Sequence, residues 1–155
     1  MNLRPIGWLQ TPFATVQDCP RNGRQLDPPP ECLAVIEPAF QPGLASLEGF
    51  THLILLYWLG SPSLGPPSDA LTIAPPFDDV TRGVFATRAP MRPNPIGLSV
   101  VAFAGLAGPG RLRVRNLDCR DGTPLLDIKP YLPSTDAEPA AGMGWLAPHR
   151  TPRPA

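Results

Sequence analysis

The chain has 155 residues, with 13 basic and 13 acidic side chains, three cysteines and 24 prolines. That length suits one domain with a proper core, and zero net charge excludes a whole-surface attraction to nucleic acid while leaving a local basic patch open. Proline at about three times its usual ~5% excludes a fold of long helices and favours short strands and loops.

The elements are expected in this order. Residues 3–9 form a first strand with Ile6 and Trp8 on one face, and residues 21–30, RNGRQLDPPP, form a polar, proline-rich loop. Residues 33–36 read as a short strand, and residues 42–48 supply one helical turn. Residues 52–59, HLILLYWL, are a continuous apolar run whose length suits a strand buried on both faces. His52 opens that run, where a satisfied structural histidine is the common case, so it is placed outside any site. After a loop at 60–67, brief strands are expected at 71–77, 84–86, 98–103, 112–116 and 125–128. Arg111, Arg113 and Arg115 alternate with Leu112 and Val114, which marks the solvated face of a strand. From Ser134 the sequence has no strong period; it is either an ordered wrap anchored by Trp145 and Leu146 or a loose tail that includes His149. Many short strands separated by turn signals predict an all-β barrel or sandwich with little helix.

Several function classes lack their signatures. There is no strand–GxGxxG–helix unit, P-loop, GxSxG elbow or HExxH helix. Cys19, Cys32 and Cys119 are widely spaced and form no CxxC or Cys/His cluster, so zinc is not expected and reduced thiols in a cytoplasmic protein are. No apolar stretch approaches the ~18 residues of a membrane span, and the opening MNLRPIGWLQ lacks a signal-peptide core.

Two segments carry unusual chemistry. In residues 83–101, GVFATRAPMRPNPIGLSVV, Pro93 and Pro95 fix two φ angles and push Arg92 and Asn94 into extended geometry. Gly97 is expected to allow a sharp change of direction before a strand. Arg88 and Arg92 flank the rigid part, where their guanidinium groups suit a carboxylate or other anion, although solvated arginines on a connecting loop fit as well. In residues 117–133, LDCRDGTPLLDIKPYLP, Asp121 and Gly122 read as a tight turn. Asp118, Asp121 and Asp127 either cap backbone amides of a hairpin or hold the polar parts of a small ligand.

Together these segments resemble the double signature of the TsaA/TrmO-like methyltransferases, GVFATRxPxRPNPIGLS followed by LDxxDGTPxxDIKPYxP. Upstream, residues 47–53, LEGFTHL, are similar to the family's LEGFSHL. Ile6 and Gly7, with Thr11, Pro12 and Phe13, are similar to its opening, and Pro20, Arg21 and Asn22 sit where Pro-Arg-Gln is usual. The resemblance spans residues 4–133, and two long motifs on one chain are far more specific than a lone glycine pattern.

The resemblance implies a compact β-barrel domain over residues 1–133, followed by a C-terminal wrap or tail over 134–155, and a homodimer in the cytoplasm. It implies S-adenosylmethionine as cofactor, tRNA as partner, and N6-methylation of threonylcarbamoyl-adenosine next to the anticodon. Carried over by position, the donor lies near Pro20, Arg21, Asn22, Gly60, Ser61, Arg88, Leu98, Asp121, Gly122, Thr123 and Pro124. Arg92, Asn94, Pro95, Gly97, Asp127, Lys129 and Tyr131 belong to the supporting loops. No general base is assigned and no metal is expected, because an activated methyl needs alignment and exclusion of water above all. Three departures stand out: Gly60 replaces a common histidine, residues 75–79 carry Asp78 and Asp79 where arginines are usual, and the further C-terminal domain of some members is missing. They keep open a same-fold methyltransferase for a small molecule or other non-tRNA acceptor, and a non-catalytic donor-binding module.

Overall fold

A computed structural model describes residues 2–60 and 71–149. Its strands are β1 (Gly7–Gln10), β2 (Cys32–Ile36), β3 (His52–Trp58), β4 (Thr72–Ile73), β5 (Arg82–Gly83), β6 (Ile96–Leu106), β7 (Arg111–Arg115) and β8 (Thr123–Pro130). Six of them close an antiparallel barrel in the order β1-β2-β7-β6-β3-β8, and β4 and β5 form a separate two-stranded ribbon. Closure covers most of the edges that short strands would otherwise present.

The barrel is filled by one side chain from every second position. Leu9, Ala34, Leu53, Leu55, Val101, Leu112, Val114 and Leu125 are fully buried, and Phe40, Leu44, Phe50 and Phe103 pack against this core. Arg113 and Arg115 stand on the outer face of β7, 3.7 and 3.9 Å from Glu31, as their alternation predicts.

Several elements differ from the expectation. The run 52–59 is not buried on both faces: β3 alternates, with Leu53, Leu55 and Tyr57 inside and Ile54, Leu56 and Trp58 half-exposed, because a barrel wall has one interior. β1 starts at Gly7; Ile6 packs against the core while Trp8 faces outward. The helical turn lies at Pro38–Leu44 rather than 42–48, opened by Pro38, whose fixed φ suits a first helical position. Residues 84–86 are a 3-10 turn, not a strand, and pairing in 71–77 is confined to Thr72 and Ile73.

The described part of the C-terminal segment packs against residues 77–86. Trp145 Nε1 donates to the Ala86 carbonyl at 2.8 Å, its ring stacks on Phe77 at 6.1 Å, and the Arg82 guanidinium covers it at 4.7 Å. Arg82 also holds Asp78 at 2.6 Å, with His149 Nε2 3.9 Å from the same carboxylate. The wrap thereby pins the 84–86 turn that precedes the rigid proline loop.

The bond from Arg82, ahead of that from the Val80 amide, holds the Asp78 carboxyl below its ordinary value. A depressed carboxylate contributes its stability fully above the unfolded value of ~3.9, and loses it as pH falls through the lower folded value. Asp78→Asn is therefore expected to melt below the wild type at neutral pH, with the gap closing as the pH drops below about 4. Thermal melts followed by circular dichroism over a pH series check this, and a gap independent of pH contradicts it.

Candidate functional site

Strand β6 is longer than either neighbour and changes partners along its length. Ile96 to Ala102 pair with β3, whereas only Ala102 to Leu106 pair with β7. Beyond Arg115, Asn116 adopts a left-handed φ of 73° and the chain leaves the ladder. It crosses to β8 rather than forming a hairpin, since β7 and β8 are not neighbours in the barrel. The first half of β6 therefore has no strand on one side, and a cleft opens there.

Three polar side chains fill the seam where the ladder has parted. Tyr57 donates its hydroxyl to Asp118 Oδ1 at 2.9 Å, and Ser99 Oγ lies 2.8 Å from the Tyr57 hydroxyl and 3.3 Å from Asp118 Oδ1. Tyr57 and Ser99 are buried and Asp118 is half-buried. Burial, then the nearby Asp118 carboxylate, push the Tyr57 phenol far above its ordinary value and keep it protonated. Gly97 makes this packing possible, since a Cβ there would run into the Tyr57 ring. It lies within β6 and changes no chain direction, contrary to the expectation for it.

The cleft has a volume of about 1130 Å³. Of the positions singled out in the sequence, it brings together Pro20, Arg21, Asn22, Gly60, Arg88, Arg92, Gly97, Leu98, Gly122, Thr123 and Pro124. Arg88 Nη2 donates to the Leu98 carbonyl at 2.9 Å and Arg92 Nη2 to the Val84 carbonyl at 3.4 Å, so Arg88 ties the proline loop to β6 and Arg92 ties it to the 84–86 turn. Gly122, at φ 76°, turns the crossing chain into β8.

Other positions lie elsewhere. Asp121 braces the N-terminal loop, accepting the Thr11 amide at 3.0 Å, rather than lining the cleft. Asn94 and Pro95 are also outside the lining; Pro95 is buried and its carbonyl accepts the Leu59 amide. Asp127 and Lys129 form a 2.7 Å ion pair on the outer side of β8, and Tyr131 packs edge-on against His52 at the far end of β3. Ser61 falls outside the described residues.

The sequence reading missed Tyr57, Ser99, Arg24 and Arg120 as lining residues, and the pairing of Asp118 with two hydroxyls. One signal was available: a tyrosine inside an apolar strand needs a partner for its hydroxyl. Five arginines (Arg21, Arg24, Arg88, Arg92 and Arg120) and a single carboxylate, Asp118, line the cleft among the described residues. Arg21, Arg88, Arg92 and Arg120 take part in none of the ion pairs among the described residues. A chain of zero net charge thus gathers arginines along one cleft. The thiols are unsuited to nucleophilic work: burial raises Cys32 to about 11 and holds Cys119 protonated. Among the described residues no His/Cys/Asp/Glu group is arranged to hold a metal.

Residues 8–137 match the model of the tRNA-methyltransferase O N-terminal domain. The chain belongs to this family. An S-adenosyl-L-methionine-binding protein of Archaeoglobus fulgidus is 44% identical over 136 residues, which cover 88% of this chain and 93% of that protein. A longer relative from the same organism is 43% identical over 147 residues, but the chain spans only 38% of it. The crystal structure of TrmO from Pseudomonas aeruginosa superimposes with a TM-score of 0.72 at 35% identity, over 94% of this chain and 62% of that one. A second TrmO crystal structure gives 0.73 at 37% identity, over 93% and 63%. The barrel architecture expected from the motifs is therefore the family's.

Replacing Gly97 by alanine tests the seam. The added methyl displaces the Tyr57 ring, and a cost of about 1–3 kcal/mol is expected in urea unfolding. A variant as stable as the wild type would show that the Gly97–Tyr57 contact does not constrain the barrel.

Proposed function

We propose that this chain is an S-adenosylmethionine-dependent methyltransferase whose acceptor is N6 of threonylcarbamoyl-adenosine next to the anticodon of tRNA. The observation that carries the reading is the arginine-rich cleft at the open seam of the barrel. Its volume of about 1130 Å³ exceeds the ~300–1,000 Å³ of a site for one small ligand, so there is room for a donor and part of an acceptor together.

The residues present fit the donor. An arginine of the proline loop suits its methionine carboxylate, and the half of β6 without a β7 partner offers backbone groups to a planar base, as a missing strand would take them. When bound, it supplies a methyl already activated on a sulfonium. The protein's part is alignment: Pro93 and Pro95 stiffen one wall, and the Trp145 wrap pins the turn that leads into it.

Two features favour an anionic acceptor. The cleft gathers five of the 13 basic residues, and of the two acids before Gly83, Asp78 is held by Arg82. Threonylcarbamoyl-adenosine in tRNA brings both a carboxylate and phosphates, which suit arginine forks.

The decisive assay uses labelled S-adenosylmethionine and tRNA purified from a strain lacking the methylated base. Label is expected in threonylcarbamoyl-adenosine; donor binding without label in that nucleoside would assign the fold to another acceptor. Arg88→Ala is expected to weaken donor binding by about tenfold or more, the worth of a charge-assisted hydrogen bond. Unchanged calorimetric affinity would remove Arg88 from the donor site.

A further inference from the structure

Proton removal is the one chemical task that alignment alone does not perform. An acceptor N–H that gains a methyl must lose its proton, and a positioned general base assists that loss. Among the described residues lining the cleft there is no histidine, lysine or glutamate, and Asp118 is the single carboxylate. Its placement is specific. Oδ1 faces the hydroxyls of Tyr57 at 2.9 Å and Ser99 at 3.3 Å, while Oδ2 has no hydrogen-bond donor among the described residues. One oxygen is thus fixed by two buried hydroxyls, and the other is left for a ligand in the cleft.

The groups around Asp118 do not compete for the role. Tyr57 faces it from β3, Ser99 from β6, Cys119 and Arg120 from its own loop, and Cys19 from the loop that carries Arg21. Burial keeps the Tyr57 phenol and the Cys119 thiol protonated and raises the Cys19 thiol. Arg120 is a cation and takes no proton.

We propose that Asp118 is the catalytic base of methyl transfer, with Tyr57 and Ser99 as positioning residues. This rests on the N–H acceptor of the preceding section. Oδ2 takes the acceptor's proton as the nitrogen pair forms the new N–CH3 bond. The S–CH3 bond breaks with its electrons left on sulfur, the carboxylate becomes a neutral acid, and water in the open cleft restores it. No further reactant is required.

The test is single-turnover methyl transfer to threonylcarbamoyl-adenosine tRNA, at saturating donor and tRNA over a pH series, with donor and tRNA affinities measured separately by calorimetry. Asp118→Asn keeps an oxygen for both hydroxyls, so a purely structural role is preserved. It is expected to slow transfer by about 10²–10⁴-fold with both affinities retained. Tyr57→Phe removes one bond to the carboxylate, so the acid limb of the rate profile is expected to move to higher pH. A brace for the seam would not produce that shift. Transfer by Asp118→Asn at the wild-type rate overturns the assignment. So does a wild-type rate that stays flat as pH falls from neutral until the fold is lost, a check that needs no variant. Donor binding with no label even from the wild type overturns the tRNA reading, and the base assignment with it.

Discussion

Strand β6 has to serve two neighbours, and it changes from one to the other at Ala102. An antiparallel ladder that stops halfway leaves backbone groups without partners, which is costly unless something else satisfies them. Here Arg88 satisfies one of them, the Leu98 carbonyl, while the side chains of Tyr57, Ser99 and Asp118 satisfy one another in the seam. The cleft, its stiff proline wall and its polar floor all follow from that one parting of strands.

The second organising feature is the uneven distribution of charge. With 13 acids and 13 bases the chain has no long-range field of one sign. Three acids elsewhere are paired locally: Glu31 with Arg113 and Arg115, Asp127 with Lys129, and Asp78 with Arg82. Five arginines and one carboxylate line the cleft among the described residues. The proposed recognition of an anion would act at close range, where low dielectric makes each arginine count for more than it would on an open surface.

Much of this architecture could be read from the chain before any coordinates. Abundant proline, short apolar runs and the alternation of Arg111, Leu112, Arg113, Val114 and Arg115 are local signals, and local signals lead to the strands and the all-β class. The motifs around Arg88 and Gly122 fall along one cleft, because a loop of unusual composition is held in one shape for a reason. What escaped was non-local. Gly97 looked like a turn residue, yet its lack of a side chain answers the Tyr57 ring on the neighbouring strand. Asp121 and Asp118 are equivalent by spacing; only the fold sends the first to Thr11 and the second to hydroxyls 61 and 19 residues away. The same holds for Asp127 and Lys129, whose shared outer face on β8 removes them from the cleft. Trp145 could anchor a wrap or hang in a tail by sequence alone, and the Phe77, Arg82 and Ala86 contacts decide for the wrap.

The central claim is that the parted seam of β6 receives the methyl donor. Amide chemical-shift mapping during titration with S-adenosylmethionine tests it most directly. The account predicts shifts concentrated at Gly97, Leu98 and Ser99, at Asn116 to Thr123, and around Arg21 and Arg88, with the far end of the barrel at His52, Lys129 and Tyr131 unmoved. Shifts centred on that far end, or none at saturating donor, would contradict it.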